Sequence, residues 1–228
     1  MDTKDLIEHL SGHAGVVRRL PSPARRMTTW LLISGTYATV VLAIHGIGGD
    51  QLDRIDGRFV IEQMAILATA LMAAVAAFSS IVPGRDKRLL LLTLIPFGIW
   101  LASLGEACVH DWLQLGSNGI RLRADWDCAR AAIVLSLVPA GAMILMLRRG
   151  APLVPRVTLS LGMLAAAAIV NFALRIFHLG DVSIMVLVWH AGGAVLLAAL
   201  SGQLGSRVLN WHSALARSDA APIFSARR

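Results

Sequence analysis

Two cysteines, Cys108 and Cys128, lie 20 positions apart in the one long polar stretch of an otherwise apolar chain, residues 106–128 (EACVHDWLQLGSNGIRLRADWDC). His110, Asp111, Trp112, Trp126 and Asp127 stand close to them. Three chemistries are open to this set. The thiols can form a disulfide if the stretch faces an oxidising compartment. Thiolate and imidazole together suit Cu(I) or Zn. Or the cysteines are small residues at helix ends, without special chemistry. No C-x-x-C pair occurs, so this is not a zinc-finger spacing, and a metal site would have to be assembled from several segments. Neither G-x-S-x-G nor H-E-x-x-H is present, so no enzyme is expected.

Other ionisable residues stand in or beside apolar runs: His45, Glu62, Arg175, His178 and His190. A charge in lipid costs roughly 2.5–3.5 kcal/mol on insertion scales, so such groups are expected to pair or to face a cavity. Asn171, Arg175 and His178 recur at helical spacing and share one face. Arg175 is expected to snorkel outward or to pair with Asp181. Glu62 is a lone carboxylate, expected to meet interfacial water or a neighbouring helix.

The segments that must position these residues are membrane spans by composition. Of 228 residues, 56% are hydrophobic and 15% charged, and the mean hydropathy is +0.67. A soluble domain carries about 25% charged residues. Six apolar runs, at about 27–47, 59–82, 89–105, 129–147, 157–177 and 183–205, each approach the roughly 20 residues a transmembrane helix needs. They do not alternate in polarity, which excludes a β-barrel reading. The expectation is an all-α membrane protein, a bundle of six transmembrane helices, with residues 106–128 as a loop. A stripe of Ala65, Thr69, Ala73 and Ala77, with Gly162, Ala166 and the Gly192-Gly193 pair, predicts close helix packing. Pro96 and Pro139 predict kinks. No cleavable signal peptide is expected, because the first apolar run follows Arg25-Arg26.

Charge sets the expected orientation. Fifteen of the 21 basic residues fall in residues 1–26, in the second and fourth connections and after residue 205. The positive-inside rule then places both termini in the cytoplasm and residues 106–128 outside, in the periplasm of a Gram-negative cell. The net charge of +7 follows from that bias, so no nucleic-acid binding is inferred from it. Reporter fusions at Ser117 and Gly150 should report opposite sides, with Ser117 outside. The same side for both would sink this topology.

Before the first span, residues 1–26 form a tail, and residues 206–228 form another after the last. In the first tail Leu6, Ile7 and Leu10 lie on one side of a short helix, with Asp2, Thr3 or Asp5 as its cap. This is a docking segment for a cytoplasmic protein, or else a disordered tail or an interfacial helix.

The chain resembles the negative-regulator-of-sigma-F (NrsF) family of bacterial membrane anti-sigma factors. The likeness runs over about residues 5–211, from DLIEHL and VRRLPSPARR through VPGRDKR and CVHDWLQLG to VLVWHAGG and LGSRVLNW. Its most specific pieces are Trp126-Asp127-Cys128 and LRRGAPLVPR. The resemblance implies a multi-pass inner-membrane protein that holds an extracytoplasmic-function sigma factor inactive until a periplasmic metal or redox signal releases it. With a sigma factor as partner, residues 1–20 are expected to bind it through Leu6, Ile7 and Leu10, and an exposed basic patch of Arg18, Arg19, Arg25, Arg26 and the cytoplasmic connections either adds attraction to an acidic partner or only fixes topology. Cys128 matches one of the family's two periplasmic cysteines. In the other position this chain has His178, within Phe177-His178-Leu179-Gly180-Asp181. A disulfide between those two positions is therefore excluded, whereas a metal ligand survives the exchange. The expected ligand set is Cys108, Cys128 and His178, with His110 or His190 as further donors, for Cu(I) or Zn as a sensed ion, and a Cys108–Cys128 disulfide is the alternative. The competing class is a small transporter or channel with a metal-lined outer mouth. Such a conduit requires ionisable residues along its length, and below His190 the sequence offers few.

Overall fold

The structure is a computed structural model, and it describes residues 2–12, 20–45, 56–82, 84, 88–116, 126–177 and 183–209. Among these there is no strand. The helices are α1 (Thr3–Gly12), α2 (Pro23–His45), α3 (Gly57–Ser80), α4 (Arg88–Leu92), α5 (Leu94–Leu115), α6 (Trp126–Leu147), α7 (Pro155–Phe177), α8 (Ser183–Met185) and α9 (Gly193–Val208). A π-helical turn, Val186–Gly192, joins α8 to α9. Six helical stretches are long and apolar enough to cross a membrane: Pro23–Ile44, Gly57–Ser80, Arg88–Leu115, Arg130–Leu147, Pro155–Ile176 and Val186–Val208. They are compatible with a multi-pass membrane protein.

α3 and α7 form the inner pair. Half of the α3 span and 67% of the α7 span are buried, against 11% for α2. The reason is side-chain size. Ala65, Ala73 and Ala77 on α3 and Ala165, Ala166 and Ala168 on α7 are buried, so the two backbones approach closely where bulky residues would hold them apart. The expected stripe, including the fully buried Thr69, lies in this core. Gly162 is closed in by Met143 and Leu147 of α6. α9 and α6 pack on α7, α5 packs on α3, and α2 lies against α6 and α3. The outer helices turn Leu32, Ile44, Ile95, Ile99, Leu196 and Leu200 to the surroundings.

Two prolines act differently. Pro96 offers no N–H to the carbonyl of Leu92, and α4 ends there; α5 resumes after Thr93. α6 runs on through Pro139. The Pro139 carbonyl accepts a hydrogen bond from Nε1 of the fully buried Trp30 at 2.9 Å, and Tyr37 donates to the Val134 carbonyl at 2.9 Å. Both bonds tie α2 to α6.

Three expectations need correcting. Residues 106–115 are the last turns of α5 rather than loop, so Cys108 and His110 stand on a helix. Gly192 and Gly193 are exposed, and a Cβ at either would meet no neighbouring helix; Gly202 and Gly205 make the close approach, to Arg156, Ser160 and Pro155 of α7. Arg26 is buried and does not join an exposed basic patch. It donates to the Phe78 carbonyl and lies 5.1 Å from the Phe78 ring centroid, at the negative end of the α3 dipole.

Candidate functional site

The start of α3, the ends of α5 and α7, the start of α6 and the π turn share one end of the bundle. That end carries Asp56, Glu62, Glu106 and Asp111. The opposite end carries Arg25, Arg26, Arg88, Arg148, Arg149, Arg156 and Arg207. They are called the acidic and basic ends below.

At the acidic end a chain of polar contacts crosses four elements. Asp56 caps α3, accepting from the Phe59 amide at 2.7 Å. Arg58 bonds Glu106 of α5 at 2.7 Å, with both side chains substantially exposed. One turn further in, Arg175 of α7 grips both carboxylate oxygens of Glu62, through Nε at 2.9 Å and a second nitrogen at 3.3 Å. Only 11% of the Arg175 side chain and 5% of the Glu62 side chain are exposed, so this pair is withdrawn from solvent. The guanidinium also lies 5.9 Å from the Phe59 ring centroid. Gln63 donates to the Phe172 carbonyl at 3.3 Å, and Asn171 donates to the His190 carbonyl at 3.3 Å.

The helix register explains this set. Asn171 and Arg175 are one turn apart on α7, as their spacing predicts. Arg175 pairs with Glu62, a partnership that was not among the two expectations for it. The signal for the pair was present: two opposite charges, each a few residues from the same end of its apolar run. Gln63, Phe59 and the π turn were not singled out in the sequence.

His190 is buried in the π turn, a geometry that is rare and concentrated at functional positions. It lines a groove of about 230 Å³ with Ala132, Ser136, Asn171, Trp189 and Leu197, between α6, α7 and the last span. His190 is therefore joined to α7 through its backbone and reached from the side of the bundle.

The candidate metal ligands are distributed as follows. Cys108 carries a free thiol, half-buried on α5, and His110 is exposed two positions on. Side chains two apart on a helix face different ways. α5 packs against α8 and the π turn, which brings the element bearing Cys108 next to the one bearing His190. Cys128 is in the first turn of α6 at the same end, but its side chain lies outside the described residues, as does His178. α6 packs chiefly on α7 and α2. Among the described residues no group of three or more His, Cys, Asp or Glu is placed to hold a metal ion. Of the candidate docking residues, Leu6 and Ile7 are exposed on α1; the Leu10 side chain, Arg18 and Arg19 lie outside the described residues.

No curated protein and no solved structure is matched by the chain. The model of one family, negative regulator of sigma F, matches residues 10–211, from within α1 to beyond the end of α9, and the chain belongs to that family.

Proposed function

We propose that this protein is an inner-membrane anti-sigma factor that sequesters an extracytoplasmic-function sigma factor at its basic end and releases it on a signal received at its acidic end. The family match carries the regulatory part of this reading. α1 supplies the docking segment, with exposed Leu6 and Ile7, and Leu10 one turn on. A mixed apolar and charged helix tethered beside a basic surface is suited to holding an acidic partner.

The polar chain at the acidic end supplies the route for the signal. Glu62–Arg175, Gln63–Phe172 and Asn171–His190 link α3, α7 and the π turn, and Arg58–Glu106 adds α5. A soft cation held by Cys108, Cys128 and His178, with His110 or His190 completing the shell, ties together helix ends joined to that chain. Release then requires two packings of the bundle of similar energy, with metal binding the releasing one more tightly. A coupling of about 1–3 kcal/mol is a typical size for such control.

The test has two arms. Deleting residues 2–20 should leave the protein in the membrane and release the sigma factor, read as loss of co-purification and gain of target expression. Retained repression refutes the role of α1. Replacing Cys128 or His178 by alanine should abolish induction by copper, zinc or cadmium with repression intact. Normal responses of both variants to every metal and to oxidants would make the site structural.

A further inference from the structure

At the basic end, the last turn of α3, the short α4 and the first turn of α7 enclose a groove of about 390 Å³, within the range of ligand-binding clefts. Its walls are apolar, with Leu89, Leu90, Val154 and Val157, but hydroxyls stand among them. Ser80 and Thr158 satisfy each other at 2.8 Å. Ser79 also lines the groove, and its buried hydroxyl has no hydrogen-bond partner among the described residues. A buried hydroxyl without a partner is costly unless something meets it. Arg88 and Arg156, both exposed, immediately precede the wall residues Leu89 and Val157. The N-terminus of α7, begun by Pro155, opens at the same place and turns the positive end of its dipole there. Three candidate spans begin or end at the groove, which puts it at the level where headgroups meet acyl chains.

We propose that this groove binds an anionic phospholipid. Its phosphate lies between Arg88, Arg156 and the α7 N-terminus, and the Ser79 hydroxyl meets it on rotating out of its buried position. One acyl chain runs along Leu89, Leu90, Val154 and Val157. A zwitterionic lipid fits the same channel but brings its own cation against the arginines, so selection is for net negative charge. The inference rests on the membrane reading above, and not on the sigma factor.

The experiment uses the full chain, extracted and delipidated in mild detergent, with bound lipid counted by native mass spectrometry. Dioleoylphosphatidylglycerol should bind about thirtyfold more tightly than dioleoylphosphatidylcholine, the scale two arginines provide at a surface. Val157→Trp, which fills the groove, should remove that preference, and so should Arg88→Gln with Arg156→Gln. Arg25→Gln, an exposed arginine on α2, should keep it. Leu90→Trp is a second filler should Val157→Trp fail to fold, as judged by thermal unfolding. Equal binding of the two lipids by the parent overturns the proposal. So does a folded filler that keeps the preference. Competition by glycerol phosphate at lipid-like concentrations would make the site one for a free phosphate anion and overturn it. A filler that keeps lipid binding but loses the co-purifying sigma factor would assign the groove to that protein instead. Recovery of the chain in the soluble fraction without detergent would remove the membrane reading itself, a failure distinct from all of these.

Discussion

Arg175→Ala is expected to destabilise the bundle by about 3–5 kcal/mol, because it leaves Glu62 as a buried charge without its partner. Glu62 is 4% exposed, and its carboxylate is held by two guanidinium nitrogens. Glu62→Ala should cost a similar amount by stranding the guanidinium. The double replacement Glu62→Leu with Arg175→Leu should recover much of the loss, since a well-packed apolar pair of similar volume replaces many buried ion pairs without penalty. Arg58→Ala is the control. That pair is 33% and 62% exposed at its two side chains, so its loss should cost no more than about 1 kcal/mol. The measurement is thermal unfolding in detergent, with the amount of protein in the membrane as a second reading. If Arg175→Ala melts with the parent, the pair does not hold α3 to α7. A regulatory reading adds one expectation: single variants loosen the α3–α7 contact and raise target expression without inducer, whereas Arg58→Ala does not.

A second large effect is expected at Gly205. A Cβ there would collide with the carbonyl oxygen of Pro155 and stand 2.7 Å from the Pro155 carbonyl carbon and the Arg156 Cα. All three obstacles are backbone, so α7 and α9 must move apart. Gly205→Ala should therefore cost about 1–3 kcal/mol, the usual scale of overpacking, and Gly205→Leu more. Gly202→Ala meets mainly the Ser160 hydroxyl, the end of a side chain that can rotate, with the Arg156 carbonyl at 3.3 Å. Its cost should be smaller. Gly193→Ala meets nothing within 4 Å and should be neutral or stabilising, because alanine favours a helix over glycine by up to about 1 kcal/mol. The order of melting temperatures, Gly193→Ala above Gly202→Ala above Gly205→Ala, checks the α7–α9 contact. Equal costs at Gly193 and Gly205 would contradict it.

How far the sequence announced this architecture depends on which physical signal each element emits. Six apolar helices were legible because hydropathy over twenty residues is a strong signal. The far end of α5 was not, since hydropathy falls at Glu106, His110 and Asp111 although the helix runs on to Leu115. Polarity marks where a helix leaves an apolar surrounding, not where its hydrogen bonds stop. The break before α5 had a local cause in Pro96. The glycines show a different limit. Gly192-Gly193 and Gly202 with Gly205 look alike in composition, and only rotation about the helix axis decides which pair meets α7. The π turn alters that rotation between them, and nothing in VLVWHAGG declares it. In the candidate site, Cys108, His110 and His190 were legible as chemistry, but their mutual placement depends on helices far apart in sequence. Arg26 was read as one of a basic cluster. Its burial against Phe78 is set by a contact spanning 52 positions, which no local pattern carries.

The ion pair between α3 and α7 has a consequence for the order in which the protein is made. Glu62 and Arg175 are separated by 113 positions. At roughly 5–20 residues per second, ribosomes need roughly 6–20 s to go from one to the other. Throughout that interval the carboxylate is already in the chain and its guanidinium has not yet been added. A helix bearing Glu62 is in the meantime a poor guest for hydrocarbon, and it gains its native neighbour only when the fifth apolar stretch arrives. The inner pair of the bundle is thus completed late in synthesis, by helices that were not consecutive, and the earlier helices wait for α7 to close around the charge.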